Sequence, residues 1–310
     1  MNEPCGLAEP FIETLEYRRF AEFCDACRHY RYIGLCFGVP GVGKTLSARH
    51  YARWDDLEGV DVYGLPDEQL EVLGQPATIF YTADVVNTPR GIRDDIGRER
   101  ARLHRIVREP IHRAKGAKFN ELGAEYNRKR DAYLDEVDWF DPKRPPPPAE
   151  PPYAKLSSEF YEQEMAIEAP TSLIVIDEAD RLKMASLEAT RDLFDKHHIG
   201  LILIGMPGIE KRMARYPQLY SRIGFVHEFR PLRAAEVRRL LDEGWRPPGM
   251  TLKPVDEESV ASIVRITGGN FRLLHRLLAQ AERIACINQL DGITPQVVEA
   301  ARESLVIGQT

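Results

Sequence analysis

Eight residues, Gly38-Val39-Pro40-Gly41-Val42-Gly43-Lys44-Thr45, run as a glycine, four free positions, then Gly-Lys-Thr, and they constrain this chain more than any other stretch. Glycines permit a tight loop whose backbone N–H groups converge on phosphate oxygens, and a lysine adds positive charge there. Thr45 supplies a hydroxyl suited to Mg²⁺. Residues 32–37 are an apolar run that reads as a buried strand entering the loop, and residues 46–52 read as a helix leaving it. Strand, loop and helix in this order predict an α/β fold in which Gly38, Pro40, Gly41, Val42, Gly43, Lys44, Thr45 and Leu46 form a nucleotide-phosphate site.

Residues 171–178 supply a second signal: an apolar run ending in Asp177-Glu178. A strand buried on both faces of a parallel sheet delivers such carboxylates to the sheet's C-terminal edge. Asp177 is the candidate to hold Mg²⁺ with Thr45, and Glu178 to orient and deprotonate an attacking water. Further strands are expected at 78–82, 201–204 and 225–229, five in all, with Met206 at the exit of the fourth and Arg222 before the fifth. From Pro231 the pattern is helical only, with runs near 233–243, 256–266, 270–287 and 295–306. The breaks are Pro247-Pro248-Gly249, Gly268-Gly269 and Asp291-Gly292.

No apolar run reaches the length of a membrane span, and the N-terminus lacks the pattern of a signal peptide, so a cytoplasmic protein without a membrane partner is expected. Five cysteines do not suggest a disulfide framework. Cys24 and Cys27 share a helix face with Phe20, Phe23 and Tyr30. Packing is the favoured use, since no second cysteine pair is in register for zinc; a redox or metal role is the alternative.

The net charge of −6 hides an asymmetry: residues 90–130 hold thirteen Arg and Lys against six acids, a net +7 that leaves −13 for the rest. Such a helical, basic insertion serves either as a solvated face or as a phosphate-binding surface, and the acidic background favours the second. The proline-rich run 145–152 is a stiff connector returning to the core, or a ligand for a partner domain.

The order of elements resembles the AAA+ ATPases over residues of about 20 to 307. The resemblance implies a P-loop α/β domain with a five-stranded parallel sheet between helices, followed by a small all-helical lid. The expected divisions are an N-terminal helical segment 1–31, a nucleotide-binding domain 32–230 carrying the basic insertion 89–152, and a lid 231–307. It implies ATP and Mg²⁺ as cofactors, Arg222 as a finger reaching a neighbouring subunit's nucleotide, and Arg272, in Gly269-Asn270-Phe271-Arg272, as a lid arginine at the phosphates. Catalysis would rest on Glu178, Lys44, Arg222 and Arg272. Many AAA+ proteins carry a polar sensor where this chain has Met206, which implies slow, partner-dependent hydrolysis.

Residues 20–28 running into 32–35, and 205–210 through 216–222, look like the transposon target-selector ATPases of the TniB, TnsC and MuB group. That implies assembly with ATP as a ring or helical filament on duplex DNA, selection of the target, recruitment of a DDE transposase and a possible target-site adaptor. Contacts to DNA would come from Thr88, Arg90, Arg93, Arg98, Arg100, Arg102 and Arg105. The competing function is a protein-remodelling or signalling ATPase whose insertion binds a protein partner. A helicase is disfavoured: Asp177-Glu178-Ala179-Asp180 matches one helicase motif, but no second helicase domain follows it.

Overall fold

A computed structural model describes residues 11–243, 245 and 255–305. The first ten residues, the break at Pro247-Pro248-Gly249 and the end of the expected lid at 306–307 lie outside the described residues. By contact the chain divides into two units: residues 1–55, 78–96 and 172–310, and residues 56–77 with 97–171.

The first unit is built on five parallel strands: β1 (Ile33–Phe37), β2 (Thr78–Thr82), β3 (Leu173–Asp177), β4 (Gly200–Gly205) and β5 (Ile223–Glu228), in the order β2-β3-β4-β1-β5. β3 and β4 are buried throughout, as apolar strands covered on both faces must be. β5 lies on an edge and alternates half-buried with exposed residues. The fifth strand starts two residues earlier than its apolar run suggested, so Arg222 stands immediately before it.

Helix α1 (Leu15–Tyr30) begins where Thr14 Oγ1 accepts from Tyr17 N at 3.1 Å, and buries Phe20, Phe23, Cys24 and Cys27. Both thiols therefore pack in the core; burial pushes Cys24 well up and Cys27 to about 12, so neither ionises at neutral pH. Helix α2 (Lys44–Tyr51) follows the glycine loop, and a single turn, α3 (Trp54–Leu57), comes next.

The second unit holds α4 (Asp67–Leu73), all but the first turns of α5 (Pro89–Glu136), and α6 (Tyr153–Ala166). At 48 residues α5 is about 72 Å long at 1.5 Å per residue, and it carries the whole basic stretch. Its arginines stitch the unit together. Arg113 reaches Glu109 at 3.0 Å, the Val62 carbonyl at 2.9 Å and Asp67; Arg102 reaches Glu99 and the Leu57 carbonyl; Arg108 lies 3.4 Å from Glu164. The proline run leads into α6 rather than straight back to the sheet. This helix buries no residue fully, so it lacks the apolar stripe that announces a helix in sequence.

The first unit resumes with α7 (Met184–His197), α8 (Ile209–Met213) and α9 (Pro217–Tyr220) around the sheet. It then adds α10 (Ala234–Asp242), α11 (Glu257–Thr267), α12 (Phe271–Ile287) and α13 (Pro295–Glu303) as a helical bundle. The bundle has its own core, including Val237, Ile263, Leu274, Leu277, Leu278 and Val298. Caps set its helices: Asp256 Oδ1 accepts from Ser259 N at 2.7 Å, and Asn270 Oδ1 from Leu273 N at 3.1 Å. No described helix is long and apolar enough to cross a membrane.

Candidate functional site

Because β4 lies between β1 and β3, the loop after β1, the acids ending β3 and the exit of β4 meet at one sheet edge. A cleft of about 310 Å³ opens there, lined by Pro40, Gly41, Gly43, Lys44, Thr45 and Leu46, by Asp177 and Glu178, by Gly205 and Met206, and by Phe271, Arg272, His275 and Arg276.

The loop turns through Gly41 and Gly43, with φ of 83° and 107°, conformations that favour glycine. Lys44 Nζ donates to the carbonyls of Gly38 at 2.6 Å and Val39 at 3.0 Å, which holds the ammonium over the loop. Burial lowers the Lys44 pKa while Asp177, Glu178 and Asp180 oppose the shift.

Thr45 Oγ1 donates to Asp177 Oδ2 at 2.6 Å, and Asp177 Oδ1 accepts from Glu178 N at 2.8 Å. Asp177 is only 4% exposed. A hydroxyl and a buried carboxylate meeting in a cleft form a hard oxygen donor set that fits Mg²⁺. Glu178 stands in the left-handed region, with φ 55° and ψ 38°, a strain of about 1 kcal/mol for a non-glycine residue of the kind that gathers at functional sites. Its carboxylate lies 3.7 Å from Arg181 Nη2, and Arg181 Nη1 donates to the Ala83 carbonyl at 3.0 Å.

At the tip of β4 the side chain is Met206, as the sequence shows. The nearby polar group is Asp180, whose Oδ2 accepts from Met206 N at 2.6 Å. Arg222 does not line the cleft; its Nε donates to Asp195 Oδ1 at 2.7 Å and its Nη1 to the Gln218 carbonyl. Val42, buried, and Gly38, against the Phe229 carbonyl, shape the loop from behind.

Arg272 comes to the cleft through two bonds between α12 and the loop. Its own N–H donates to the Gly41 carbonyl at 2.9 Å, and Asn270 Nδ2 donates to the Pro40 carbonyl at 2.7 Å. Sequence reasoning singled out Arg272 but missed Asn270, His275 and Arg276. The i+3 and i+4 spacing of the last two from Arg272 was the available signal.

The seven residues nominated for DNA contact differ in setting. In the first unit, Thr88 Oγ1 accepts from Gly91 N at 3.0 Å, Arg90 lies 3.4 Å from Asp94, and Arg93 is exposed. In the second, Arg98 is exposed and Arg105 lies over the Tyr63 ring at 5.9 Å. Arg100 is half-buried, its pKa lowered by burial, and Arg102 is engaged as described above.

Residues 27–213 match the family described as AAA domain. A "potential ATP-binding protein" of Staphylococcus aureus is 41% identical over 313 residues, covering 96% of this chain and 97% of that one. Among solved structures, Cdc6p from Pyrobaculum aerophilum is similar with a TM-score of 0.57 at 15% identity, over 98% of this chain and 71% of that one. The Aeropyrum pernix ORC1 protein in complex with DNA gives a TM-score of 0.51 at 18% identity, over 95% of this chain and 66% of that one. The Thermotoga maritima RuvB Holliday junction branch migration motor gives 0.50 at 15% identity, over 98% and 73%. This chain thus spans about two thirds to three quarters of those proteins, and at these identities the likeness is one of fold. Together with the full-length relative and the match from 27 to 213, it leads to one assignment: the chain belongs to the AAA domain family and has an AAA+ fold.

Proposed function

We propose that the chain is an ATP- and Mg²⁺-dependent AAA+ ATPase that assembles with itself on duplex DNA, selects a transposition target there, and recruits and activates a DDE transposase. Hydrolysis would drive disassembly. The observation that carries the ATPase reading is the cleft in which Lys44, the Thr45–Asp177 pair and Glu178 face Arg272. In this reading the loop N–H groups and Lys44 hold the phosphates, Glu178 takes a proton from water, and Arg272 balances charge on the terminal phosphoryl group. Mg²⁺, held by Thr45 and Asp177, would neutralise charge on the same phosphates. Arg222, away from its own cleft, would serve a neighbouring subunit's site.

The DNA half is supported by the exposed Arg93, Arg98 and Arg105 on the helix after β2, and by fold relatives described with DNA or as a Holliday junction motor. Transposition rests on the resemblance of residues 20–35 and 205–222 to the target-selector group. The test is duplex binding by the Glu178→Gln variant with ATP across a salt series. Affinity that falls steeply with salt supports the reading, and binding absent or indifferent to salt sinks its DNA half.

One observation favours the second reading, an ATPase whose insertion binds protein. Many basic groups of α5 are already satisfied, with Arg102, Arg113, Lys118 and Lys129 each paired to an acid. ATP turnover measured with and without duplex separates the two: stimulation by DNA belongs to the first alone.

A further inference from the structure

Arg276 lines the cleft from the helical bundle, beside Arg272. Two bonds fix the position of α12 over the loop, Arg272 N to Gly41 O and Asn270 Nδ2 to Pro40 O. Arg276 follows Arg272 by four residues, which sets it one turn further along the same helix face. Arg181 and Arg212, the arginines after β3 and β4 at the same sheet edge, both donate to protein acceptors. Among the described residues, neither Arg272 nor Arg276 has a hydrogen-bond or ion-pair partner for its guanidinium.

Two unpaired cations one turn apart repel each other, and both line a cleft that already holds Lys44. Asp177, the buried carboxylate across from them, is already engaged by Thr45 and the Glu178 N–H. What satisfies such a group of donors is a bound polyanion, and a guanidinium fork suits phosphate oxygens particularly well. A diphosphate cradled by the loop uses the loop N–H groups and Lys44; a further phosphate needs donors from the opposite wall.

We infer that Arg276 is a second arginine of the helical bundle for the terminal phosphate, acting beside Arg272, so that the site discriminates nucleoside triphosphate from diphosphate. This rests on reading the cleft as the nucleotide site. Arg276 leaves the loop and the Mg²⁺ residues untouched, so its effect is separable from theirs.

The experiment measures affinities of the full chain for a non-hydrolysable ATP analogue and for ADP, both with Mg²⁺, in wild type, Arg276→Ala, Arg276→Lys and Lys44→Ala. Circular dichroism confirms that each variant is folded. Arg276→Ala should weaken the triphosphate by about tenfold or more, the size expected for a lost charge-assisted contact, and ADP by less than about threefold. Arg276→Lys should recover part of the preference. An unchanged ratio of the two affinities overturns the inference, whether both fall together or neither moves. If wild type and Lys44→Ala bind nucleotide equally, or neither binds, the nucleotide-site reading falls and this inference with it.

Discussion

Thr45 Oγ1 and Asp177 Oδ2 are 2.6 Å apart, although 132 residues separate them in the chain. The contact joins the start of α2 to the end of β3 across the intervening strand. Thr45→Ala should therefore remove the Mg²⁺-dependent part of nucleotide affinity, a loss of about tenfold or more, and leave binding in EDTA nearly unchanged. Titrating ATP with Mg²⁺ and with EDTA checks this; an equal loss in both conditions would count against a metal role.

Glu178→Gln should keep ATP affinity within a few fold and lower turnover by about 10²- to 10⁴-fold, the usual contribution of a positioned general base. Arg222→Ala should also be slow. Mixing the two variants should restore hydrolysis above either alone, because an intact Arg222 on one subunit would serve an intact Glu178 on the next. A mixture no faster than its components would place Arg222 in the Asp195 ion pair only.

Two arginines of α5 should behave differently. Arg93 is exposed, so Arg93→Ala should leave stability alone and lower the salt slope of duplex binding by about 0.9. Arg102 is engaged with Glu99 and the Leu57 carbonyl, so Arg102→Ala should cost about 1–3 kcal/mol of stability in urea titrations. A stable Arg102 variant with weakened DNA binding would reverse these assignments.

His227 gives the fold an acid-sensitive point. On β5 it packs against Phe20, Phe23 and Phe229, with Nε2 3.2 Å from Glu16 Oε1 but not aligned for a hydrogen bond. Burial, then the charges of Arg19 and Arg230, push its pKa down to about 4, with Glu228 opposing. The unfolded chain takes up this proton near pH 6.5 and the native state only near 4, so stability from this group is complete above 6.5 and declines through that window. The loss should be on the order of 3 kcal/mol. Burial raises the pKa of Glu16, which contributes the opposite sign: its share is present at low pH and lost as pH rises through the folded value. Urea unfolding from pH 7 to pH 4 should show a flatter profile for His227→Gln than for wild type. Matching profiles would remove His227 as the cause.

The parts of the fold legible in sequence were those in which local pattern and burial coincide. β3 as far as Ile176 and all of β4 are apolar because they are buried throughout, and the glycine loop is visible because its backbone geometry needs those residues. Arg272 was legible as a residue type in a motif. Its neighbour Arg276 had only its i+4 spacing to mark it, because the bonds from Arg272 N–H to the Gly41 carbonyl and from Asn270 to the Pro40 carbonyl, which bring that helix face to the cleft, join residues far apart in sequence. In the second unit, α6 escaped notice because it fully buries nothing. The continuity of α5 through Pro110 escaped too, since a proline in sequence usually marks a helix boundary.

A side chain at residue 41 would intrude on more than phosphate. A Cβ placed there comes within 2.6 Å of Asn270 Oδ1 and 2.8 Å of Arg272 Cβ, and the backbone already stands at φ 83°. The loop is therefore also the floor on which the helical bundle comes to rest, and a single methyl group would act as a doorstop. A Gly41→Ala protein that loses nucleotide is thus as much a protein whose arm no longer closes as one whose grip on phosphate has failed.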